Sequence, residues 1–77
     1  MPHIIIKLYP GRSNEVKKKM THAIVRDVVE TAGCEESAVS VAIEEIDPAD
    51  WPEKVYRPDI LARGHLLYKK PGYNPFK

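Results

Sequence analysis

The sequence has a single cysteine, no long apolar run and no excess of charge of one sign, and each absence excludes a class of protein. Cys34 has no second cysteine with which to form an internal disulfide, and no neighbouring pattern of metal ligands or catalytic groups, so we expect an inert thiol. No apolar run approaches the ~20 residues that span a bilayer, and a signal-peptide pattern is missing. The sequence therefore predicts a cytoplasmic protein.

Charge is also nearly balanced, with 12 Lys and Arg against 11 Asp and Glu and a formal charge of +1. Binding to nucleic acid or to an anionic membrane favours a clear basic excess, so neither is expected as a partner. A length of 77 residues with 43% hydrophobic residues predicts one globular domain over residues 1–77. A domain of this size buries roughly 60% of its unfolded surface, so we expect stabilisation by a disulfide, a metal or a partner subunit.

Common catalytic motifs are missing as well. The chain contains no glycine-rich phosphate loop, and its histidines, His3, His22 and His65, are too far apart in sequence to predict a zinc site. We therefore expect neither a metal nor a cofactor.

Two strands and a helix are predicted for the first part of the chain. Three consecutive isoleucines within residues 2–9 favour a strand. An amphipathic helix from Ser13 or Asn14 to Ala32 follows, with Gly33 as its stop signal. Alternating apolar and polar residues over 38–46 predict the second strand. The apolar stripe of the helix consists of Val16, Met20, Ile24, Val28 and Ala32, with Lys17, Lys18 and Lys19 turned to water.

The fold class that follows is α/β (α+β), with a single β-α-β unit. Its strands should be parallel and its crossover right-handed. One helix covers only one face of a two-stranded sheet, so the other face predicts self-association. Pro58 is expected to begin a short C-terminal helix over residues 59–68. A tail over 69–77 should then pack Tyr73 and Phe76 on a neighbour.

Pro2 is the unusual candidate for chemistry. Initiator methionine is generally removed before a small second residue, and the Pro2 nitrogen would then be a basic secondary amine. An ordinary α-amino group titrates near ~8, so a base that works at neutral pH needs its charged form disfavoured. Burial among apolar residues such as Ile5 and Ile6, and cations such as Lys7 or Arg12, would act in that direction.

These features occur together in a register that resembles a known family. Met1-Pro2 opens the first strand, Gly11-Arg12-Ser13 joins strand to helix, and residues 38–41, Ala-Val-Ser-Val, open the second strand. The arrangement over residues 1 to about 51 is similar to the tautomerase superfamily, and within it to the 4-oxalocrotonate tautomerase family. The longer tail, with residues 69–73 reading Lys-Lys-Pro-Gly-Tyr, resembles a bacterial subgroup for which a dimer is expected.

The resemblance implies a fold of the tautomerase type and roles for individual residues. Pro2 falls on the catalytic amino-terminal proline of the family, which acts as general base and then as general acid on a dienol. Arg12 falls on the substrate-binding arginine, whose planar guanidinium can bind a carboxylate through two parallel hydrogen bonds. The implied activity is a cofactor-independent isomerase, a keto–enol tautomerase of a small carboxylate.

Two positions depart from the family pattern. Ser40 stands where 4-oxalocrotonate tautomerase has a second arginine, so a second substrate carboxylate would be desolvated without a partner. A 2-oxo monocarboxylate is therefore easier to accept than a dicarboxylate. Trp51 stands where the family has a pocket phenylalanine, and its indole could shield Pro2 and stack on an unsaturated substrate. Trp51 could equally be a packed loop aromatic.

Other functions remain open at this point. The same scaffold could hydrate or dehalogenate an unsaturated acid, with Asp50 or Glu53 activating water, and release of halide would identify that activity. A catalytically silent binding or scaffold protein is a further alternative, which retention of Met1 would favour. For assembly we expect a homodimer, with a hexamer of the family type as the alternative.

Overall fold

The computed structural model describes residues 1–77 and divides into two compact units, residues 1–45 and residues 46–77. The first unit contains β1 (His3–Leu8), α1 (Asn14–Ala32) and β2 (Ser40–Glu45). The second contains a π-helix (Pro52–Leu61) and two 3₁₀ turns, Pro48–Asp50 and Gly64–Leu66. None of the helices has the length and apolar character needed to cross a membrane. The single domain over 1–77 stays a prediction.

β1 and β2 form a parallel two-stranded sheet that runs from His3 opposite Ser40 to Leu8 opposite Glu45. This pairing confirms the predicted β-α-β unit. Both strands are shorter than the predicted ranges of 2–9 and 38–46. Ala38 donates its backbone N–H to the carbonyl of Glu35 at 3.0 Å, so it forms part of a 3₁₀ turn and not of the sheet.

The helix α1 begins and ends at the positions that its capping residues predicted. The Ser13 hydroxyl accepts a hydrogen bond from the Val16 N–H at 3.2 Å, which satisfies one unpaired amide of the first turn. Gly33 has a φ of +72°, a left-handed conformation that glycine adopts without strain, and its N–H donates to the Val29 carbonyl at 3.1 Å. Local signals at both ends therefore fix this helix.

One face of the sheet packs against α1. The Lys17 ammonium lies 3.1 Å from a carboxylate oxygen of Glu45, so the helix covers the face on which Glu45 lies. Strand alternation places Ile6 and Leu8 on that face and Ile5 on the opposite, open face. Lys17 was predicted to turn to water but is half-buried, because its aliphatic chain covers apolar surface while its charge pairs with Glu45.

The first unit leaves much of its apolar surface incompletely covered. Residues of the predicted helix stripe such as Met20 and Ile24 are only half-buried, and Val16 is exposed. Ile5 on the open sheet face is 52% exposed. The buried hydrophobic residues of the chain, Val55 and Tyr56, both lie in the π-helix of the second unit.

The C-terminal helix differs from its predicted bounds of 59–68. It begins at Pro52, contains Pro58 in its interior and ends at Leu61. Proline is compatible with the first position of a helix, and here Pro52 has that role. Pro58 has no N–H to donate, and in an α-helix its ring would clash with the Lys54 carbonyl, which disfavours α-helical spacing. The observed spacing is i→i+5, as between the Ala62 N–H and the Arg57 carbonyl at 3.0 Å.

The tail packs on its own unit. Tyr73 and Phe76 were predicted to pack on a neighbour, and both rings pack against Tyr56 of the same chain. Their centroids lie 5.4 and 5.8 Å from that of Tyr56. Tyr56 is 6% exposed, so the tail completes the core of its own unit.

Candidate active site

Pro2 lies immediately before β1 and is half-buried. Its carbonyl accepts a hydrogen bond from the Ser40 N–H at 3.1 Å, which extends the pairing of the two strands by one step. The bond fixes the Pro2 backbone at the amino-terminal end of the sheet. Because proline has no N–H, its nitrogen takes no part in the sheet hydrogen bonds. The Pro2 nitrogen is therefore not needed for pairing of the two strands.

Ser40, a predicted substrate-binding residue, lies beside Pro2 at the same end of the sheet. A hydrogen bond of 2.6 Å joins the Ser40 hydroxyl and Nδ1 of His3. The two residues are register partners and lie on the open face, opposite to α1. Sequence reasoning used His3 only to argue against zinc. The missed signal is that His3 and Ser40 each begin one of two strands expected to be parallel, which places the two residues side by side.

Arg12 lies at the other end of β1, in the turn that leads to α1. Gly11 makes this turn with a φ of +125°, a conformation open to glycine and strained for other residues. The exposed Arg12 guanidinium donates a hydrogen bond from Nη1 to the Tyr9 carbonyl at 3.3 Å. This contact holds the positive charge at the carboxyl end of the strand.

A single chain does not bring Pro2 and Arg12 together. Pro2 and Leu8 lie six residue steps apart along β1, which at ~3.3 Å per residue is about 20 Å, and Arg12 lies beyond Leu8. The hydrogen bond to the Tyr9 carbonyl places the guanidinium at the carboxyl end of the strand. A site that uses both residues would therefore take them from two copies of the chain.

Trp51 belongs to the second unit and directly precedes the π-helix. Its side chain is half-buried, and its indole N–H donates a hydrogen bond to the Tyr73 hydroxyl at 2.8 Å. Trp51 is thus a packed aromatic with a satisfied polar atom. Its role in substrate binding stays a prediction of the family resemblance.

The groove on the surface of α1 does not include the predicted site residues. An open groove of about 460 Å³ runs along α1 between His22, Val25 and Val29, and none of the four predicted site residues lines it. No group of three or more His, Cys, Asp and Glu side chains is arranged to hold a metal ion. Two of the predicted site residues offer chemistry. Pro2 would be a secondary amine once Met1 is removed, and Arg12 is a cation that can bind a carboxylate.

Comparison with known proteins identifies the class. The family model described as tautomerase enzyme matches residues 2–52. The chain is 42% identical over 73 residues to a protein named "Probable tautomerase" from Xylella fastidiosa, covering 95% of this chain and 89% of the relative. It is 37% identical over 75 residues to tautomerase PptA of Pectobacterium atrosepticum, covering 96% and 99% of the two chains.

Solved structures agree with the sequence comparison. TomN, a 4-oxalocrotonate tautomerase homologue in the tomaymycin biosynthetic pathway, has a TM-score of 0.63 and 34% identity over 65% of this chain and 77% of its own. The family member N2 has a TM-score of 0.60 and 38% identity over 62% and 75% of the two chains. The chain belongs to the tautomerase superfamily and, within it, to the 4-oxalocrotonate tautomerase family. These relatives support a tautomerase-type, isomerase function.

Proposed function

We propose that this protein catalyses the keto–enol tautomerisation of a small 2-oxo monocarboxylic acid or a related dienol, without a cofactor and with Pro2 as its base and acid. The observation that carries the proposal is that the tautomerase family match begins at Pro2, the residue that directly precedes β1. Removal of Met1 would convert the Pro2 amide nitrogen into a secondary amine. The half-buried position of Pro2 would disfavour the charged form of that amine.

The proposed reaction moves one proton and changes no oxidation state. The neutral Pro2 nitrogen removes the proton from the enol oxygen, the carbonyl forms, and electron density shifts to the neighbouring carbon. The resulting Pro2 cation returns the proton to that carbon, so the amine is regenerated. One group that acts as base and then as acid accounts for the whole isomerisation.

Arg12 would bind the substrate carboxylate through its guanidinium. Because Arg12 and Pro2 lie at opposite ends of β1, we propose that each site joins Pro2 of one copy with Arg12 of another in a homodimer. The half-covered apolar surface of the first unit supports this association. A cytoplasmic location stays a prediction.

A monocarboxylate is favoured by the chemistry around Ser40. The Ser40 hydroxyl is bonded to His3 and carries no formal charge, so a second substrate carboxylate would lose water without gaining a cation. The family resemblance assigns Trp51 to the unsaturated or aromatic part of the substrate. A 2-oxo acid with a neutral aromatic side chain fits both assignments.

The test is ketonisation of the enol form of an arylpyruvate, followed by absorbance, with intact-mass measurement to show that Met1 is absent. Pro2→Ala should lower kcat/KM by about a hundredfold or more, the contribution typical of general acid–base catalysis. Protein that retains Met1 should be inactive, since its Pro2 nitrogen is an amide.

The matched control is Pro48→Ala, which replaces an exposed proline in the turn Pro48–Asp50. It should react at the rate of the unaltered protein. Equal rates for the unaltered protein and Pro2→Ala would remove Pro2 from the mechanism.

A further inference from the structure

Tyr73 joins the C-terminal tail to Trp51 and to Tyr56 through one hydrogen bond each. Its hydroxyl accepts from the Trp51 indole N–H at 2.8 Å, and its carbonyl accepts from the Tyr56 hydroxyl at 3.0 Å. The rings of Tyr56 and Tyr73 also pack at a tilt of 58°. Tyr73 is thus attached at one side to the core of its unit and at the other to Trp51.

The tail is held at a second point by Phe76. The Phe76 ring packs edge-on to Tyr56, and the Arg57 guanidinium lies 4.6 Å from its centroid, a cation–π arrangement. Glu53 fixes that guanidinium by accepting two hydrogen bonds at 2.9 and 3.1 Å. The same hydrogen bonds, and the charge of Arg57, hold the pKa of Glu53 below its ordinary value. Two anchors three residues apart keep the Tyr73 hydroxyl in place.

We infer that Tyr73 is a positioning residue for substrate binding, because its anchored hydroxyl holds the Trp51 indole in one orientation. The inference rests on the proposed function in one respect, the assignment of Trp51 to the unsaturated or aromatic part of the substrate. A ring held in one orientation loses less conformational freedom when it stacks on a ligand. The tail would thereby contribute to affinity although Tyr73 does not touch the substrate.

The substitution that tests this is Tyr73→Phe, which keeps the ring against Tyr56 and removes only the hydroxyl. Trp51 is the only tryptophan of the chain, so its fluorescence reports on this contact directly. We expect a shifted emission maximum and stronger quenching by acrylamide. The KM for the arylpyruvate enol should rise about fivefold, as for loss of one hydrogen bond, with kcat little changed.

Tyr68→Phe is the matched control. Tyr68 is a fully exposed tyrosine close to Tyr73 in sequence, so loss of its hydroxyl should leave both fluorescence and KM unchanged. A double-mutant cycle then separates positioning from general stability. If Tyr73 acts through Trp51, Tyr73→Phe should not change the KM of Trp51→Phe protein any further.

Two results would overturn the inference. One is unaltered fluorescence in Tyr73→Phe, which would mean that the hydroxyl does not hold the indole. The other is altered fluorescence with unaltered KM, which would limit the contact to a structural role. Both are distinct from failure of the proposed function, which would appear as full activity of Pro2→Ala.

Discussion

At the scale of single residues, we expect Ser40 to limit how much negative charge the proposed site accepts. Its hydroxyl, bonded to His3 at 2.6 Å, occupies the position where the family resemblance places a second arginine. A hydroxyl can donate one hydrogen bond to a carboxylate, but it supplies no compensating charge. Substrate preference should therefore depend on this position more than on the residues that move the proton.

Ser40→Arg should shift preference towards a dicarboxylate dienol. Ser40 is exposed, so the larger side chain can be accommodated, and a hydrogen bond between charged groups contributes about 2 kcal/mol. We expect the ratio of kcat/KM for the dicarboxylate to that for the arylpyruvate enol to rise roughly thirtyfold. Ser40→Ala, which removes the hydroxyl without adding charge, is the control and should not raise the ratio. An unchanged ratio in Ser40→Arg would show that position 40 does not contact the distal part of the substrate.

The sequence predicted Pro2, Arg12 and Ser40 as site residues but not the contact between Tyr73 and Trp51, for physical reasons. Pro2, Arg12 and Ser40 lie close to strand ends and turns, where local patterns fix the register, and the family resemblance then implies their roles. Tyr73 contacts Trp51 across 22 positions of chain, in a segment whose aromatic residues follow no period. No pattern of spacing could predict that contact, because it arises from packing on Tyr56.

At the scale of elements, the ends of α1 illustrate how local chemistry determines structure. Ser13 and Gly33 supply the two capping interactions that the sequence predicted, and the helix has the predicted bounds. The bounds of the short C-terminal helix were predicted wrongly, because a proline can signal a helix start at Pro48, Pro52 or Pro58 alike. Burial of Val55 and Tyr56, a tertiary effect, accompanies the earlier start.

Gly33→Ala should destabilise the protein by about 1 kcal/mol. A β-carbon at Gly33 would meet no atom within 4 Å, so the cost comes only from the backbone φ of +72°. Chemical denaturation at fixed protein concentration measures the change as a lower midpoint with an unchanged slope.

Gly64→Ala is the matched control for this substitution. Gly64 lacks a positive φ, and its β-carbon would also meet no atom within 4 Å, so we expect a change within about 0.5 kcal/mol. Equal midpoints for the two variants would mean that the left-handed residue does not limit the stability of α1.

At the scale of the whole molecule, the first unit has the β-α-β arrangement expected from the sequence but no fully buried hydrophobic residue. Strand alternation and helix period predicted which faces are apolar, and one helix can cover only one of the two sheet faces. The sequence could not predict how another copy would meet the open face, because that depends on the shape of two surfaces. The separation of Pro2 from Arg12 along β1 gives this question a functional test.

Mixing two inactive variants tests whether sites are shared between copies. Pro2→Ala and Arg12→Ala should each lower kcat/KM severely, because neither variant by itself would form a complete site. In a mixed dimer, one site joins the intact Pro2 of one copy with the intact Arg12 of the other. Random assembly from equal amounts should restore about a quarter of the unaltered activity, because half of the dimers are mixed and each has one of its two sites intact.

Co-expression of the two variants with different affinity tags would allow the mixed species to be isolated and its stoichiometry checked by native mass spectrometry. Activity in the mixed species, and none in either variant alone, is the expected result. A mixed species without activity would mean that Pro2 and Arg12 act within one chain, against the separation of about 20 Å that β1 imposes. A sample in which only monomers are found at micromolar concentration would contradict the association itself. The experiment thus links the length of one six-residue strand to the number of chains that the reaction requires.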